Sequence, residues 1–159
     1  MLPLQLLALI VTANGTPILL RRLLGHRLRL PVDAGIRLFD GRRLFGPRKT
    51  LIGVLGAVAT SAILASLLGL GWSIGLQIGL FAMLGDLTSS FVKRRLNLAP
   101  SGKALGLDQL PESLFPALAV REALQLAWWE LAAVVTAFFL FSSAVSPVLH
   151  RLRIRNRPY

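Results

Sequence analysis

Cysteine is absent from the 159-residue sequence, and histidine occurs only at His26 and His150. These absences exclude disulfides, zinc–thiolate sites, thiol nucleophiles and a metal site built from several histidines. The sequence also lacks the Gly-x-x-x-x-Gly-Lys-[Ser/Thr] run of a P-loop, and two histidines in basic stretches make a Ser–His–Asp arrangement implausible. Aromatic residues are not interleaved with basic ones as in nucleic-acid binders, so no nucleic-acid partner is predicted.

Acidic residues are scarce as well, since seven Asp+Glu stand against 18 Lys+Arg and the net charge is +11. Hydrophobic residues nevertheless make up 54% of the chain, and the mean hydropathy is +0.65. A soluble protein with this charge would not carry so much apolar sequence. The combination predicts apolar membrane spans joined by basic loops that face anionic lipids or bind anionic substrates.

Five apolar stretches are candidates for membrane spans, which need about 20 residues each. They cover residues 2–20, 51–70, 72–92, 107–120 and 126–149, and the fourth is short and contains Glu112 and two prolines. The sequence therefore predicts a single all-α membrane domain, residues 1–159, with five transmembrane helices.

The basic residues predict the orientation of these helices. Nine Lys+Arg lie in residues 21–49, four in 93–103 and four in 151–157, which leaves only Arg121. By the positive-inside rule, both loops and the C-terminal tail are cytoplasmic and the N-terminus is outside. The expected location is the cytoplasmic membrane, with the two loops forming a site on its inner face and the tail contacting lipid headgroups.

Gly71, Gly75 and Gly79 recur every four residues at the start of the third stretch. Such spacing lets helix backbones approach closely in lipid. Packing within the chain is the favoured interpretation, and a homodimer interface is the alternative.

Charged residues at membrane depth are costly and by default indicate function. On a helix, Asp86 shares a face with Ser89, Ser90 and Lys93, and the cationic end of this face continues into two arginines. The alternative is a structural ion pair between Asp86 and Lys93. Asp108, at the start of the fourth stretch, is either a helix N-cap or the partner of Asp86 in a carboxylate pair for Mg²⁺.

The first loop holds a third polar cluster, between Asp40 and Thr50. Its glycines permit tight turns, its cations suit phosphate oxygens, and Asp40 can orient a guanidinium. A simple positive-inside segment would not require Asp33 and Asp40 among the arginines. Asn14, in the first stretch, needs a polar partner, which is either another helix or a substrate.

Taken in order along the chain, these motifs resemble the CDP-archaeol synthase family, membrane cytidylyltransferases related to CDP-diacylglycerol synthases. The resemblance is carried by Ala13-Asn14 with Pro17, Pro31–Gly35, Asp40–Arg43 with Gly46, Lys49-Thr50 with Gly53, Gly85-Asp86, Ser89–Leu96 and Leu107–Gln109. It implies a five-helix membrane domain that uses Mg²⁺ to convert CTP and a lipid phosphate into a CDP-activated lipid and pyrophosphate.

The resemblance also implies residue roles. Asp86 and Asp108 are expected to bind the metal and, with Lys93, to be catalytic. The residues expected to bind substrate are Asn14, Asp33, Asp40, Arg42, Arg43, Lys49, Thr50, Ser89, Ser90, Arg94, Arg95 and Gln109. The acceptor lipid is left open between a phosphatidic-acid-like and an archaeol-phosphate-like molecule.

Two alternatives belong to other classes. A CDP-alcohol phosphotransferase would need an Asp-Gly-x-x-Ala-Arg motif, and the segment at Asp40 lacks its alanine and arginine. A non-enzymatic scaffold or transporter subunit would show no metal-dependent nucleotide binding.

Overall fold

Helices form almost all of the regular structure in the computed structural model. It describes residues 1–24, 30–98 and 106–151, and for 146–151 the backbone alone. The helices are α1 (Leu2–Leu23), α2 (Leu51–Leu67), α3 (Trp72–Arg95), α4 (Gln109–Val120) and α5 (Trp128–Arg151). These described ranges contain no β-strand, only isolated bridges from Pro31 to Thr50 and from Arg37 to Arg43. The all-helical prediction is confirmed. Lys103 and the residues of the tail from 152 onward lie outside the described part.

Among the described residues, three helices are long and apolar enough to cross a membrane: α1, α3 and residues Trp128–Val145 of α5. The 17-residue α2 is a shorter apolar helix. Because α4 has 12 residues, it is about 18 Å long and does not by itself match a hydrocarbon core of about 30 Å. A multi-pass membrane protein is thus confirmed, while five crossings and the orientation stay predictions.

Helices α2 and α3 touch backbone to backbone. A Cβ atom added at Gly75 would lie 2.2 Å from the Ser61 carbonyl oxygen, and one added at Gly79 would lie 2.7 Å from the Val58 Cα. Only glycine permits this approach, so two of the three regularly spaced glycines serve packing within the chain. Gly71 lies in the preceding turn instead, with φ +85°.

The apolar core lies toward the end of the bundle where α1 begins and α2 ends. Leu6, Leu9 and Ile78 are fully buried there beside Val120, the last residue of α4. Gln5 closes this end by donating a hydrogen bond from Nε2 to the Leu68 carbonyl, 3.3 Å away. The charged residues of α1 and α3 lie toward the opposite end of the bundle.

At that opposite end, the start of α4 docks directly on α3. A Cβ atom at Gly85 would lie 2.2 Å from the Pro111 carbonyl oxygen, so the two backbones are in contact. Asn14 of α1 donates from Nδ2 to the carbonyls of Ile10 (3.0 Å) and Glu112 (3.4 Å). The contact at Gly85 brings Asp86 beside the residues that open α4.

Candidate active site

Two lysine–aspartate pairs meet where α3 ends and α4 begins. Lys93 Nζ lies 2.6 Å from Asp108 Oδ1, and Lys49 Nζ is bonded to Asp86 Oδ1. Each lysine thus pairs with an aspartate from a different segment, in place of the expected alternative of an Asp86–Lys93 pair. The four side chains are 10–29% exposed, so they are shielded by the protein yet accessible to a ligand.

Asp108 stands at the N-cap position of α4, but its side chain makes no capping hydrogen bond. Its carboxylate bonds to Lys93 instead, with Oδ2 2.8 Å from Nζ. The next residue, Gln109, accepts a hydrogen bond at Oε1 from the Gly106 backbone N–H (2.9 Å). Asp108 therefore forms an ion pair instead of a cap, and its metal-binding role stays a prediction.

Glu112, which appeared in the sequence only as a weakness of the fourth span, lies next to Asp86 in the structure. A Cβ atom added at Gly85 would lie 2.9 Å from the Glu112 backbone nitrogen, and the Glu112 side chain is partly buried. Because residues four apart share a helix face, the spacing from Asp108 to Glu112 was a signal that the two acids face the same neighbours.

Lys49 lies in the loop before α2, close to all three of these acids. Burial alone would lower the pKa of Lys49, but the carboxylates of Asp86, Glu112 and Asp108 outweigh it, and the net shift of the pKa is upward. The lysine therefore remains an ammonium ion at neutral pH and supplies a fixed positive charge.

The chemistry of these side chains fits a magnesium ion. Asp86 and Asp108 offer only hard oxygen donors, and Mg²⁺ is commonly held by one or two carboxylates together with substrate phosphates. Within the described ranges, no group of three or more His, Cys, Asp or Glu is arranged to hold a metal unaided. The donor set thus suits an ion whose coordination is completed by the substrate.

Asp33 organises the loop between α1 and α2. Its side chain has no exposed area, and it accepts hydrogen bonds from the backbone N–H groups of Gly35 (3.1 Å), Phe45 (3.2 Å) and Gly46 (2.9 Å) and from Arg43 Nη2 (2.8 Å). Burial would raise the pKa of Asp33, but these hydrogen bonds and the arginine lower it overall. Asp33 and Arg43 therefore bind each other in the fold.

Other predicted site residues also have partners inside the protein. Thr50 caps α2 by accepting a hydrogen bond from the Gly53 N–H (3.3 Å). Ser89 is buried and donates to the Asp86 backbone carbonyl (3.0 Å), and Ser90 is buried beside it. These contacts hold the polar face of α3 in place behind Asp86.

An open basic cleft of about 470 Å³ lies between the loop and the end of α3. Its lining residues are Arg37, Gly41, Arg42, Arg43, Gly46, Pro47, Arg94, Asn97 and Leu98. Arg94 has a buried Nε that makes no hydrogen bond. The guanidinium groups clustered around this cleft suit the oxygens of a phosphate.

The fold and this site define an all-helical membrane protein with paired acids and cations at one end of its bundle. Comparison with known proteins identifies its relatives. A family model described as "CarS-like: CDP-archaeol synthase" matches residues 23–159. The CDP-archaeol synthase of Sulfurisphaera tokodaii is 38% identical over 135 residues, 81% of each chain, and that of Saccharolobus solfataricus is 33% identical over the same length and share.

A solved structure is similar in three dimensions as well. It is described as an intramembrane enzyme for archaeal membrane lipids biosynthesis, and it matches with a TM-score of 0.73 and 34% identity over 89% of this chain and 90% of its own. The chain belongs to the CDP-archaeol synthase family. It is accordingly an enzyme of the cytidylyltransferase class, which confirms the resemblance and sets aside the non-enzymatic alternative.

Proposed function

We propose that the protein is a Mg²⁺-dependent cytidylyltransferase that converts CTP and an archaeol-type lipid phosphate into a CDP-activated lipid and pyrophosphate. The supporting observation is the convergence of Lys49–Asp86 and Lys93–Asp108 at one end of the bundle. The choice of an archaeol-type acceptor over phosphatidic acid is supported by the relatives, which are CDP-archaeol synthases.

The physical difficulty of this reaction is to bring two anions together. A phosphate monoester carries about −1.5 to −2 charges near neutral pH, and it meets a triphosphate that is more negative still. One of its oxygens bonds to the α-phosphorus of CTP, and the bond from that phosphorus to the oxygen bridging to the β-phosphate breaks. Pyrophosphate leaves with that electron pair. No general base is required, since the attacking oxygen is already ionised.

Catalysis then consists mainly of positioning and charge neutralisation. Lys49 and Lys93 place cations beside Asp86 and Asp108, where the phosphates would converge, and Arg94 lines the neighbouring cleft. When bound by Asp86 and Asp108, Mg²⁺ supplies further charge neutralisation to the triphosphate and the leaving pyrophosphate. Serine hydroxyls and Gln109 support the segments that carry these groups.

The membrane location suits the acceptor lipid. Apolar side chains on α1, α2 and α5 are exposed, among them Leu19, Leu55 and Leu140, so lipid tails can lie along the helices while the phosphate reaches the charged end. In this proposal five crossings place that end at the inner face of the cytoplasmic membrane, where CTP is available. A homodimer remains a prediction.

The test uses purified protein in detergent or vesicles with cytidine-labelled CTP. Archaeol phosphate and phosphatidic acid are offered in parallel, and both labelled lipid and pyrophosphate are measured. We expect labelled CDP-lipid and equimolar pyrophosphate with archaeol phosphate and Mg²⁺, and neither product with EDTA. Equal turnover of phosphatidic acid would contradict the acceptor assignment. Release of CMP from a CDP-alcohol, without use of CTP, would indicate the phosphotransferase instead.

A further inference from the structure

The loop and the end of α3 are joined by reciprocal arginine contacts. Arg42 extends from the loop and donates two hydrogen bonds from Nη1, to the carbonyl oxygens of Arg94 (3.2 Å) and Arg95 (2.9 Å). These carbonyls belong to the last turn of α3, where a helix leaves acceptors without partners along its own axis. The guanidinium of Arg42 is therefore used as a C-terminal cap for a different segment.

Arg95 returns the contact from the helix to the loop. Its Nη2 donates to the carbonyls of Arg43 (2.9 Å) and Arg42 (3.4 Å), and its Nη1 donates to Asp40 Oδ1 (2.8 Å). The guanidinium also lies 5.2 Å from the ring centroid of Phe91, one turn earlier in α3. Such a cation–π contact helps to hold the guanidinium of Arg95 against the loop.

Asp40 joins the two arginines. Its Oδ1 accepts a hydrogen bond from the Arg42 backbone N–H (3.1 Å) in addition to the one from Arg95. Asp40, Arg42 and Arg95 thus form one connected unit, called the arginine clamp below, which links the loop to the helix through side chains and backbone alike.

The clamp fixes the spacing of the two walls of the basic cleft. One wall comes from the loop, through Arg37, Gly41 and Arg43, and the other from the end of α3, through Arg94 and Asn97. Without the clamp, the hydrogen bonds that Arg42 and Arg95 make to the opposite wall would be lost. The loop would then be free to move relative to Arg94.

We propose that the arginine clamp consists of positioning residues that hold the cleft in its working shape, and that Arg42 and Arg95 do not act as independent ligands of substrate phosphates. Nη1 of Arg42 and both Nη atoms of Arg95 already donate to protein oxygens, and a phosphate could take these donors only by breaking the link between loop and helix. Asp40 also places a negative charge against Arg95, which opposes an incoming anion. This inference rests on the proposed function wherever turnover is the readout.

A double-mutant cycle separates positioning from independent binding. Arg42→Ala, Arg95→Ala and the double variant are assayed for pyrophosphate release at varied CTP and lipid phosphate. Because each single change breaks the same unit, we expect each to lower kcat/KM about tenfold and the double variant to be no worse than either single one. Two independent phosphate ligands would instead give losses that multiply to about 100-fold, and that result would overturn the clamp.

Asp40→Asn provides a second discriminating variant. A carboxylate cannot bind a phosphate directly, so removing its charge from a pair of phosphate ligands would leave activity unchanged or raise it. If the clamp is a positioning unit, Asp40→Asn should instead lower kcat/KM several-fold. The loss should be divided between kcat and KM in the same proportion as in Arg95→Ala. Arg22→Ala is the matched control, because Arg22 is an exposed cation at the end of α1 outside the clamp and the cleft, and it should retain full activity.

Hydrogen exchange tests the clamp without any enzymatic readout. The amide hydrogens of Leu38, Gly41 and Leu44 form backbone hydrogen bonds within the loop, and in the wild-type protein they should exchange slowly. Arg42→Ala and Arg95→Ala should each accelerate exchange in peptides covering residues 36–46 about tenfold, with no change in α2 or in Arg22→Ala. Unchanged exchange in both arginine variants would refute the clamp. A wild-type protein that releases no pyrophosphate from CTP would refute the proposed function. Hydrogen exchange would still test the clamp in that case.

Discussion

Asp33 and Asp86 are both aspartates bonded to a cation, yet their surroundings differ in almost every other respect. Asp33 is completely buried and accepts three backbone hydrogen bonds in addition to the one from Arg43. Asp86 is partly exposed, bonds to the flexible side chain of Lys49 and faces a second acid, Glu112. One carboxylate is saturated by the fold, and the other is held by groups that a ligand can replace.

The difference distinguishes an aspartate that stabilises the fold from an aspartate that is available to a ligand. A carboxylate with four donors has no lone pair left for a substrate or metal, and breaking such a buried arrangement costs stability. A partly exposed carboxylate that lies between a lysine and a second acidic side chain belongs to a cluster of interacting titratable groups, which is typical of functional sites. Exchange of each aspartate for its neutral isostere should therefore affect different properties.

The largest effect is expected for Asp86→Asn. Turnover should fall about 1000-fold, because a metal-bound charge contributes several kcal/mol to transition-state stabilisation. The melting temperature, followed by the fluorescence of the three tryptophans, should change little, since Asp86 is partly exposed and the asparagine keeps an oxygen that can accept from Lys49. A large loss of melting temperature would place Asp86 in the structural group with Asp33.

Asp33→Asn should show the reverse pattern. The amide keeps one acceptor but turns an N–H₂ group toward donors, so the free energy of unfolding of the loop should fall by about 3 kcal/mol. Limited proteolysis between residues 30 and 50 would measure the opening of the loop directly. Cleavage no faster than in the wild-type protein would contradict the organising role of Asp33.

Gly85→Ala tests whether the position of Asp86 relative to α4 matters. The added methyl group would lie 2.2 Å from the Pro111 carbonyl oxygen, so α4 must shift and carry Asp108 with it. We expect activity to fall about tenfold, as is typical of a small misplacement of catalytic groups. Gly15→Ala is the matched control, because an added Cβ there meets no atom within 4 Å, and it should leave activity unchanged.

The smallest effect concerns pH. Because the pKa of Asp33 is lowered in the folded protein, its contribution to stability is complete above the ordinary aspartate value of about 3.9 and is lost as the pH falls through the lower folded value. The difference in melting temperature between wild type and Asp33→Asn should therefore be constant at neutral pH and shrink below about pH 4. A difference that also shrinks between about pH 5 and 7 would point to another titrating group.

Much of this architecture could be predicted from the sequence, because lipid imposes simple requirements on it. Apolar length marked the positions of the helices, and the rarity of carboxylates made Asp86 and Asp108 conspicuous. Which lysine meets which aspartate could not be predicted, since Lys49 is 37 residues from Asp86 and only the docking of the loop brings them together. The same limit explains why Arg42, Asp33 and Asp40 were expected to bind substrate. Many of their partners are backbone groups, which residue type does not reveal.

Glu112 illustrates a different limit. A charge in a short, proline-containing stretch reads as an interruption of a membrane span, and its proximity to Asp86 depends on the absence of a side chain at Gly85. Glu112 lies four residues from Asp108, so the rule that a charged residue at membrane depth indicates function applies to it as it does to Asp86. Because the chain has only seven acidic residues, each of them is a candidate for a functional role.

The backbone contact at Gly75 and Gly79 bears on how a bulky substrate could enter. Two helices that touch without intervening side chains cannot slide or part without losing their whole interface, so α2 and α3 act as a fixed wall. Any opening that admits a lipid must then come from movement of the remaining helices, while the wall keeps Asp86 at a constant depth.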